Sequence, residues 1–426
     1  MKNLPIIVKI AALCTVLIPA AVHAETLTLA ECLQRASSGN YELTVSAHDR
    51  AIAAENIVQA KSGYLPRIDF NGGYTLQLDP QAITIGSQAM ETQDADFGFF
   101  SLTATQTVYD FGRTAARKRR ASLLTDSVGY NYTAQEKDTF LQVVEAYYGI
   151  LEAQKLIQAA DDEVTQRTDH LRVAKNLYEQ GVVTRNDLLQ AQVKLADSKQ
   201  NRLAATNRLN NRWLYLDYLI GQPLAYRAEL TDENVPPAVV KGDNAPEQAF
   251  AKRPEIAALT KTVEAGEAEV TENRTGYFPE IYSTAGVDYV ENSKVREQAI
   301  YSATIGLRIN LFDGLATTSR LRQSVRSLSK NRDALRMAKE QIRLELQTAL
   351  NDTNVAAERI KTVEEAIKQG EENLRINRDR YQEQVGTATD VIDAQTLLTQ
   401  IRTDYFRAIY DYQVASARVQ KAMGDL

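Results

Sequence analysis

One plan is written twice in this chain. Gly63-Tyr64-Leu65-Pro66 returns as Gly276-Tyr277-Phe278-Pro279, Val108-Tyr109-Asp110 as Leu311-Phe312-Asp313, and Tyr178 as Tyr381. Asp187 returns as Asp390, Ala191-Gln192 as Ala394-Gln395, and Gly221 as Gly424. From Asp110 onward every pair is 203 residues apart, whereas the Gly-Tyr-x-Pro pair is 213 apart. The first half therefore holds ten extra residues between Pro66 and Asp110, and an insertion between blocks of constant length belongs at a loop tip. A chain duplicated in this way folds as two similar units, 25–222 and 246–426, with 223–245 and its Pro236-Pro237 as the connector.

Within each unit the hydrophobic period changes from two to a helical one. Ile68, Phe70, Tyr74, Leu76 and Leu78 alternate with Asp69, Asn71, Gly73, Thr75 and Gln77, and Tyr301, Ala303, Ile305, Leu307, Ile309 and Leu311 alternate with polar or small residues. Phe100, Leu102, Ala104 and Val108 repeat the pattern, and Ile281 to Val290 repeats it more weakly. This predicts four strands in two hairpins, 66–111 and 279–312, each strand with one apolar face. The strands reach the roughly 9 to 11 residues that cross a bilayer as tilted β-strands. Hydrocarbon admits strands only in a closed barrel, and small closed barrels begin near eight strands. Four strands per chain thus require several chains, or else the hairpins belong to a sandwich with one wet face.

The remainder points away from the sandwich. No proline occurs between Asp110 and Pro223, and none follows Pro279, which suits long helices because an interior proline costs about 3 kcal/mol. Thr114 to Gln180 and Thr317 to Glu383, each 67 residues rich in Ala, Leu, Glu, Lys, Arg and Gln, read as two rods. At about 1.5 Å per residue each would span roughly 100 Å. Shorter helices, about 187–220 and 390–423, return through glycine-bearing turns at Gly181 and Gly386. Apolar stripes such as Leu335, Ala338, Ile342, Leu346 and Ala349 need neighbouring helices to cover them.

Residues 1–24, with Lys2 and Lys9 around a short apolar run and closing on Val22-His23-Ala24, read as a secretory signal peptide. Cys14 is a poor match to a lipidation box because Leu13 precedes it and the apolar run is short. Removing this segment takes away two lysines and no acids, moving the net charge from -6 to -8, so no bulk charge favours nucleic acid. Cys32 is then the only cysteine left, and stability rests on packing or assembly rather than on an internal disulfide. No later apolar run approaches the ~18 residues of a membrane-spanning helix. The chain shows no phosphate loop, zinc-type histidine cluster or nucleophile elbow, so an enzyme and a cofactor are not expected. His48 and His170 stand alone on helices and read as surface or structural residues. Arg113, Arg117, Lys118, Arg119 and Arg120, with Arg320, Arg322 and Arg326 at the similar place in the second half, could meet lipid phosphates or simply be exposed helix charge.

Asp390 and Asp393 lie three apart in "TATDVIDAQ" and so on one helix face. Such a pair could be a metal site, an acid/base pair, a solvated helix start where Asp caps and meets the macrodipole, or part of a ring assembled by several chains. A helix-tip turn offers no pocket for a catalytic dyad.

Taken together, the doubled Gly-Tyr-x-Pro, the Tyr-Asp and Phe-Asp-Gly at the strand-to-helix junctions, the two rods and the paired motifs "YEQGVVTRNDLLQAQ" and "YQEQVGTATDVIDAQ" resemble the TolC-like outer-membrane efflux protein family over essentially the whole mature chain. The resemblance implies a mainly α chain with transmembrane β: long α-helical hairpins forming a periplasmic barrel, and four strands per chain in a trimeric twelve-stranded outer-membrane β-barrel. It implies an exit duct for efflux or type I secretion, a homotrimer, and tips that meet a periplasmic adaptor tied to an inner-membrane pump. Asp390 and Asp393 match the aspartates that ring the closed entrance, Tyr381 the tyrosine that links tip helices, and Asp187 its acidic partner. The family's arginine near the second tip corresponds to Gly386, and the glycine of that turn falls on Gln384, so the closing contacts should be reduced or rewired. Gly181, Val182, Val183, Val385, Gly386 and Thr387 are the adaptor-docking candidates, or residues that merely turn the chain. A periplasmic coiled-coil adaptor, also rich in helical hairpins, is the rival reading.

Overall fold

The computed structural model describes residues 26–224, 226–232 and 244–426, so the signal segment and much of the connector lie outside the described residues. In chain order the elements are β1 (Thr26–Leu27), α1 (Leu29–Gly39), α2 (Tyr41–Lys61), β2 (Arg67–Leu76), β3 (Ala82–Ile85), β4 (Gln88–Glu91), β5 (Asp96–Tyr109), α3 (Arg113–Glu179), α4 (Arg185–Leu219), β6 (Glu229–Leu230), α5 (Ala245–Lys252), α6 (Pro254–Arg274), β7 (Glu280–Val290), β8 (Ala299–Arg308), α7 (Ala316–Gln382) and α8 (Ala388–Met423). The rods α3 and α7 each run unbroken for 67 residues. Asp110 and Asp313 open them: each carboxylate accepts from the backbone N–H of the threonine four residues on, Thr114 at 2.7 Å and Thr317 at 2.9 Å. These bonds satisfy helix-start amides that otherwise lack partners, and together with the threonine hydroxyls they hold both carboxyls below the ordinary aspartate range despite partial burial at Asp110.

The four long strands form one antiparallel sheet in the order β2-β5-β7-β8. Residues directly paired across an antiparallel sheet share a face. Phe70 pairs with Leu102, Leu102 with Val287 and Val287 with Tyr301, which assembles one apolar face from all four strands. That face is open: Phe70 is 68 % exposed, and Tyr301 and Ile305 are each 81 % exposed. The opposite face carries Asp69, Thr103, Ser101, Asp288, Thr284 and Thr304. Two features depart from the sequence reading. The strand expected to reach Leu311 ends at Arg308, and the inserted segment makes its own small hairpin, with Ile83 opposite Met90 and Ile85 opposite Gln88 around Gly86.

The helices continue the strand order. Beside the sheet, α3 packs between α2 and α6, and α6 against α7; farther away, α3 packs between α4 and α8, and α8 against α7. The protomer is thus a wall four elements wide throughout, with β2, α2 and α4 along one edge and β8 and α7 along the other. In each half a buried polar residue joins the two shorter helices nearly end to end. Asn40 accepts from the Glu42 and Leu43 amides at the start of α2 and donates to the Leu219 carbonyl at the end of α4, at 2.9 Å. Its counterpart Arg253, before α6, donates to Lys421 O at 3.3 Å near the end of α8 and to Glu345 of α7 at 3.0 Å.

The largest core lies around the middle of α3, where Val143, Val144, Tyr147, Tyr148 and Ile150 meet Leu27, Cys32, Trp213, Leu216, Leu219 and Tyr410. Here α1, β1 and β6 wrap the rod, so its sequence is apolar on more than one face. The stripe Ile342, Leu346 and Ala349 of α7 is covered within the same chain by α5 and α8. Below the sheet, half of the eight basic residues named above are paired: Arg113 with Glu280 (3.7 Å), Arg117 with Glu272 (2.9 Å), Arg120 with Glu269 (3.4 Å) and Arg320 with Asp313 (3.4 Å).

Asn40 is buried and serves two helix ends, so Asn40→Ala should lower stability by about 1–3 kcal/mol per protomer through unsatisfied backbone groups. Denaturant unfolding of the detergent-solubilised protein measures this, and a midpoint matching the wild type would show that the joint is held by other contacts.

Candidate functional site

The end of the helical wall farthest from the sheet carries the residues singled out from the sequence. Both rods stop there in the same way. The Val182 amide reaches back to Leu177 O (2.9 Å) and Gly181 to Tyr178 O (3.0 Å); Val385 reaches Arg380 O (2.9 Å) and Gln384 reaches Tyr381 O (3.2 Å). This is the Schellman closure, which needs a left-handed residue just past the helix. Gly181 supplies it at φ +74, and Gln384 supplies it in the second half at φ +64. The second turn was expected to rest on Gly386, but the left-handed position is Gln384, at a conformational cost of about 1–2 kcal/mol for a side chain with a Cβ. Gly386 is needed for closeness instead: a Cβ there would stand 3.0 Å from Arg380 Cβ and 3.2 Å from backbone.

The returning helices begin with matching capping boxes. Thr184 Oγ1 accepts from Asp187 N (3.3 Å) while Asp187 Oδ2 accepts from Thr184 N (2.9 Å). Thr387 Oγ1 accepts from Asp390 N (3.2 Å) while Asp390 Oδ2 accepts from Thr387 N (3.0 Å). The Thr387 amide, followed by the Thr387 side chain, holds the Asp390 carboxyl below the usual range, so this exposed acid stays ionised. Asp393 is exposed one turn on, and among the described residues no hydrogen bond or ion pair engages it. Val391, Ile392, Ala394 and Leu398 face inward, which leaves Thr389, Asp390, Asp393, Thr396, Leu397 and Gln400 open along α8. At the turns Val182, Val385 and Thr387 are exposed, and Val183 and Gly386 are partly covered.

The expected hydrogen bond from Tyr381 to Asp187 is not made within the protomer. The Asp187 carboxylate is occupied by Thr184, which donates both its amide and, at 2.8 Å, its hydroxyl. Tyr381 sits in the tip core with Leu374, Ala388, Val391, Ala394 and Leu398, and among the described residues its hydroxyl has no hydrogen-bond partner. Burial, and secondarily the charge of Asp187, raises its pKa.

Two residues not foreseen as site residues occupy this core. On α3, Arg167 and His170 extend the inward stripe of Leu156, Ala159 and Ala174. Arg167 is 3 % exposed and crosses to α8, donating to Gln395 Oε1 (2.9 Å), Thr396 Oγ1 (2.8 Å) and Ile392 O (3.4 Å). The His170 ring lies 5.6 Å from the Tyr381 ring, and its Nε2, buried, has no partner among the described residues. A cavity of about 220 Å³ adjoins them, lined by His170, Arg378, Tyr381, Val391 and Gln395. The available signal was positional: two polar residues at stripe positions that elsewhere on α3 are apolar.

A sheet with one exposed apolar face, joined to a long helical wall that ends in acidic, capped tips, describes a membrane-anchored conduit. The profile of the outer membrane efflux protein family matches residues 32–222 and 245–425, and the chain belongs to that family. It is 23 % identical to the outer membrane protein TolC of Vibrio cholerae serotype O1, over 100 % of this chain and 96 % of that protein. It is 24 % identical to the alkaline protease secretion protein AprF of Pseudomonas aeruginosa, over 86 % of this chain and 78 % of the relative. The solved structure of the outer membrane protein VceC from Vibrio cholerae superposes with a TM-score of 0.79 at 16 % identity, covering 93 % of this chain and 96 % of that one. The protein is accordingly an outer-membrane channel with a long periplasmic helical extension, of the class that assembles as a trimer.

Burial first, then the charges of Arg167 and Arg378, pushes the His170 pKa below the ordinary histidine value. Neutral His170 therefore contributes stability that is full above about pH 6.5 and is lost as pH falls through its lower folded value. Asparagine stands at the matching place in the second rod, Asn373, so His170→Asn suits a helix of this kind. Unfolding temperatures compared from pH 8 to pH 5 should shift in favour of the variant at the acid end, since the shared carboxylate titrations cancel; a constant difference would show that His170 does not titrate in the folded protein.

Proposed function

We propose that this channel is a passive exit duct whose periplasmic mouth is gated by Asp390 and Asp393, and whose tips dock a periplasmic adaptor coupled to an inner-membrane pump. The observation that carries the gate is the open acidic stripe of α8 at the tip, with Asp390 capped and ionised and Asp393 unengaged. Repeated around a threefold axis, six carboxylates attract cations and raise one another's pKa. The adaptor surface consists of Gly181, Val182, Val183, Val385, Gly386 and Thr387, which lie at the two exposed turns, and Tyr381 and Asp187 belong to the closing contacts around them. Outer-membrane lipid meets the apolar sheet face. With no nucleotide-binding motif in the chain, the driving energy comes from the inner-membrane partner. The relatives' names span efflux and protease secretion, and the wall carries no feature that selects between those cargoes.

Planar-bilayer recording of the detergent-extracted oligomer tests this. Wild type should give small cation-selective currents that trivalent cations block from the tip side. Asp390→Ala with Asp393→Ala should reduce selectivity and weaken the block at least tenfold. Unaltered selectivity and block would remove the pair from the gate.

A further inference from the structure

We infer that Arg167 is a positioning residue of the gate, a buried latch that pins the first turns of α8 against α3 and so fixes where Asp390 and Asp393 stand. This rests on the reading of those aspartates as the gate. The helical wall below its middle consists of two hairpins, α3 with α4 and α7 with α8, and the seam between them is the contact of α3 with α8. Any widening of the mouth that moves the second hairpin against the first must break contacts along that seam.

The ion pairs across the seam lie far from the tip, and in each of them at least one partner is open to solvent. Arg418 meets Glu145 at 2.7 Å, Lys421 meets Asp138 at 2.6 Å, and Arg407 meets Glu152 at 3.8 Å. Exposed pairs of this kind contribute little. Arg167 differs in three respects. Its side chain is almost wholly buried. Its three α8 partners lie at Ile392, Gln395 and Thr396, within one turn of Asp393. Among the described residues its only carboxylate partner, Glu163 at 3.4 Å, is on its own helix, so each of the bonds to α8 ends on a neutral oxygen.

That chemistry suits a latch. A buried guanidinium depends strongly on the acceptors around it, and losing them leaves an unsatisfied charge. The planar fork addresses a backbone carbonyl, an amide oxygen and a hydroxyl together, which fixes the rotation and height of α8 more tightly than a point charge would. Gln395 is itself 2 % exposed and lines the His170–Tyr381 cavity, so the latch connects α3, α7 and α8 at one level. Within the second hairpin no equivalent is needed. The position in α7 matching Arg167 is Gly370, where a Cβ would already stand 3.3 Å from the Leu398 and Ile401 side chains, so α7 and α8 are held there by close packing.

The test compares wild type, Arg167→Met and Arg167→Lys as oligomers of confirmed mass in planar bilayers, alongside the Asp390 and Asp393 double variant. Arg167→Met keeps the apolar stem and removes the fork. It should raise open-state occupancy about tenfold, as loss of charged hydrogen bonds implies, while the pore remains cation-selective. It should also weaken block by a trivalent cation several-fold, because the aspartates are present but displaced. Arg167→Lys should recover part of the closure and little of the block, since an ammonium cannot span the three acceptors. Thr396→Val, which deletes a single acceptor and leaves Arg167 in place, should fall between wild type and Arg167→Met. If both Arg167→Met and Thr396→Val close and block like wild type while the aspartate variant loses selectivity, the latch is overturned and the gate stands. If the aspartate variant is also unaltered, the gate itself fails. A merely structural role for Arg167 would lower oligomer stability without moving the trivalent block, and that outcome too would overturn the latch.

Discussion

The fold depends on the backbone hydrogen bonds that one protomer cannot make. Its sheet ends in β2 on one side and β8 on the other, each paired along a single edge. With an apolar face directed at hydrocarbon, unpaired N–H and C=O groups along those edges are costly, so the sheet must close on further copies. The strands alternate in direction and are even in number, so β8 of one copy meets β2 of the next in antiparallel sense. A contact of that kind is heterologous and forms a ring. The helices inherit the requirement because each strand leads into a helix in the same lateral place. Two sheet edges therefore become two wall edges. The exposed apolar residues Leu189 and Val193 on α4, and Met337, Leu344 and Val355 on α7, lie on the helices at those two edges.

Much of this was legible because it repeats at a constant offset. The rods were read one residue late, as Thr114 to Gln180 rather than Arg113–Glu179, since Asp110 caps the helix earlier than the first threonine suggests. The alternation of apolar and polar residues gave the strand faces, and the register preserves them. The small hairpin Ala82–Glu91 was not foreseen: its strands are four residues each, too short for a period to stand out in sequence. The lateral order of the helices was also illegible from periodicity, which reports that a stripe is covered but not by what. Ile342, Leu346 and Ala349 needed a neighbour, and only the fold shows α5 and α8 in that place.

At the tip, sequence located the right segments and misjudged some of the contacts. The spacing of Thr387 and Asp390 is a capping box, and the same spacing serves Thr184 and Asp187, so the shared aspartate of the two halves is first a helix-start residue. What the halves do not share is more informative. Asp393 corresponds to Gln190, Gln384 to Gly181, His170 to Asn373 and Arg167 to Gly370. A helix start needs one acid, so the second acid on α8 has no local structural reason. Similarly, a left-handed Gln384 is tolerated only because the surrounding Schellman bonds fix it. The interaction of Arg167 with α8 crosses 225 residues of sequence to Ile392 and 229 to Thr396, a separation at which no local pattern carries information.

These asymmetries divide the tip into two chemistries. The outer surface of α8 presents Asp390 and Asp393 to solvent, where the proposed gate would let their charge act on ions. The opposite side of the same two turns presents Ile392 O and the buried Gln395, with Thr396 at the solvent border, to the almost wholly buried Arg167. The proposed gate needs its charged face solvated and its holding contact shielded, since hydrogen bonds fix a position better where solvent does not compete for them. One amphipathic helix meets both needs when its inward stripe carries a polar acceptor, the buried Gln395, in place of an aliphatic residue, with Thr396 beside it at the solvent border. A stripe of leucines would bind α8 as tightly but would let it slide or rotate, because apolar contacts are non-directional. The polar residues in the tip core therefore trade some packing for a defined register, which a ring of carboxylates must have if its charges are to converge on one axis.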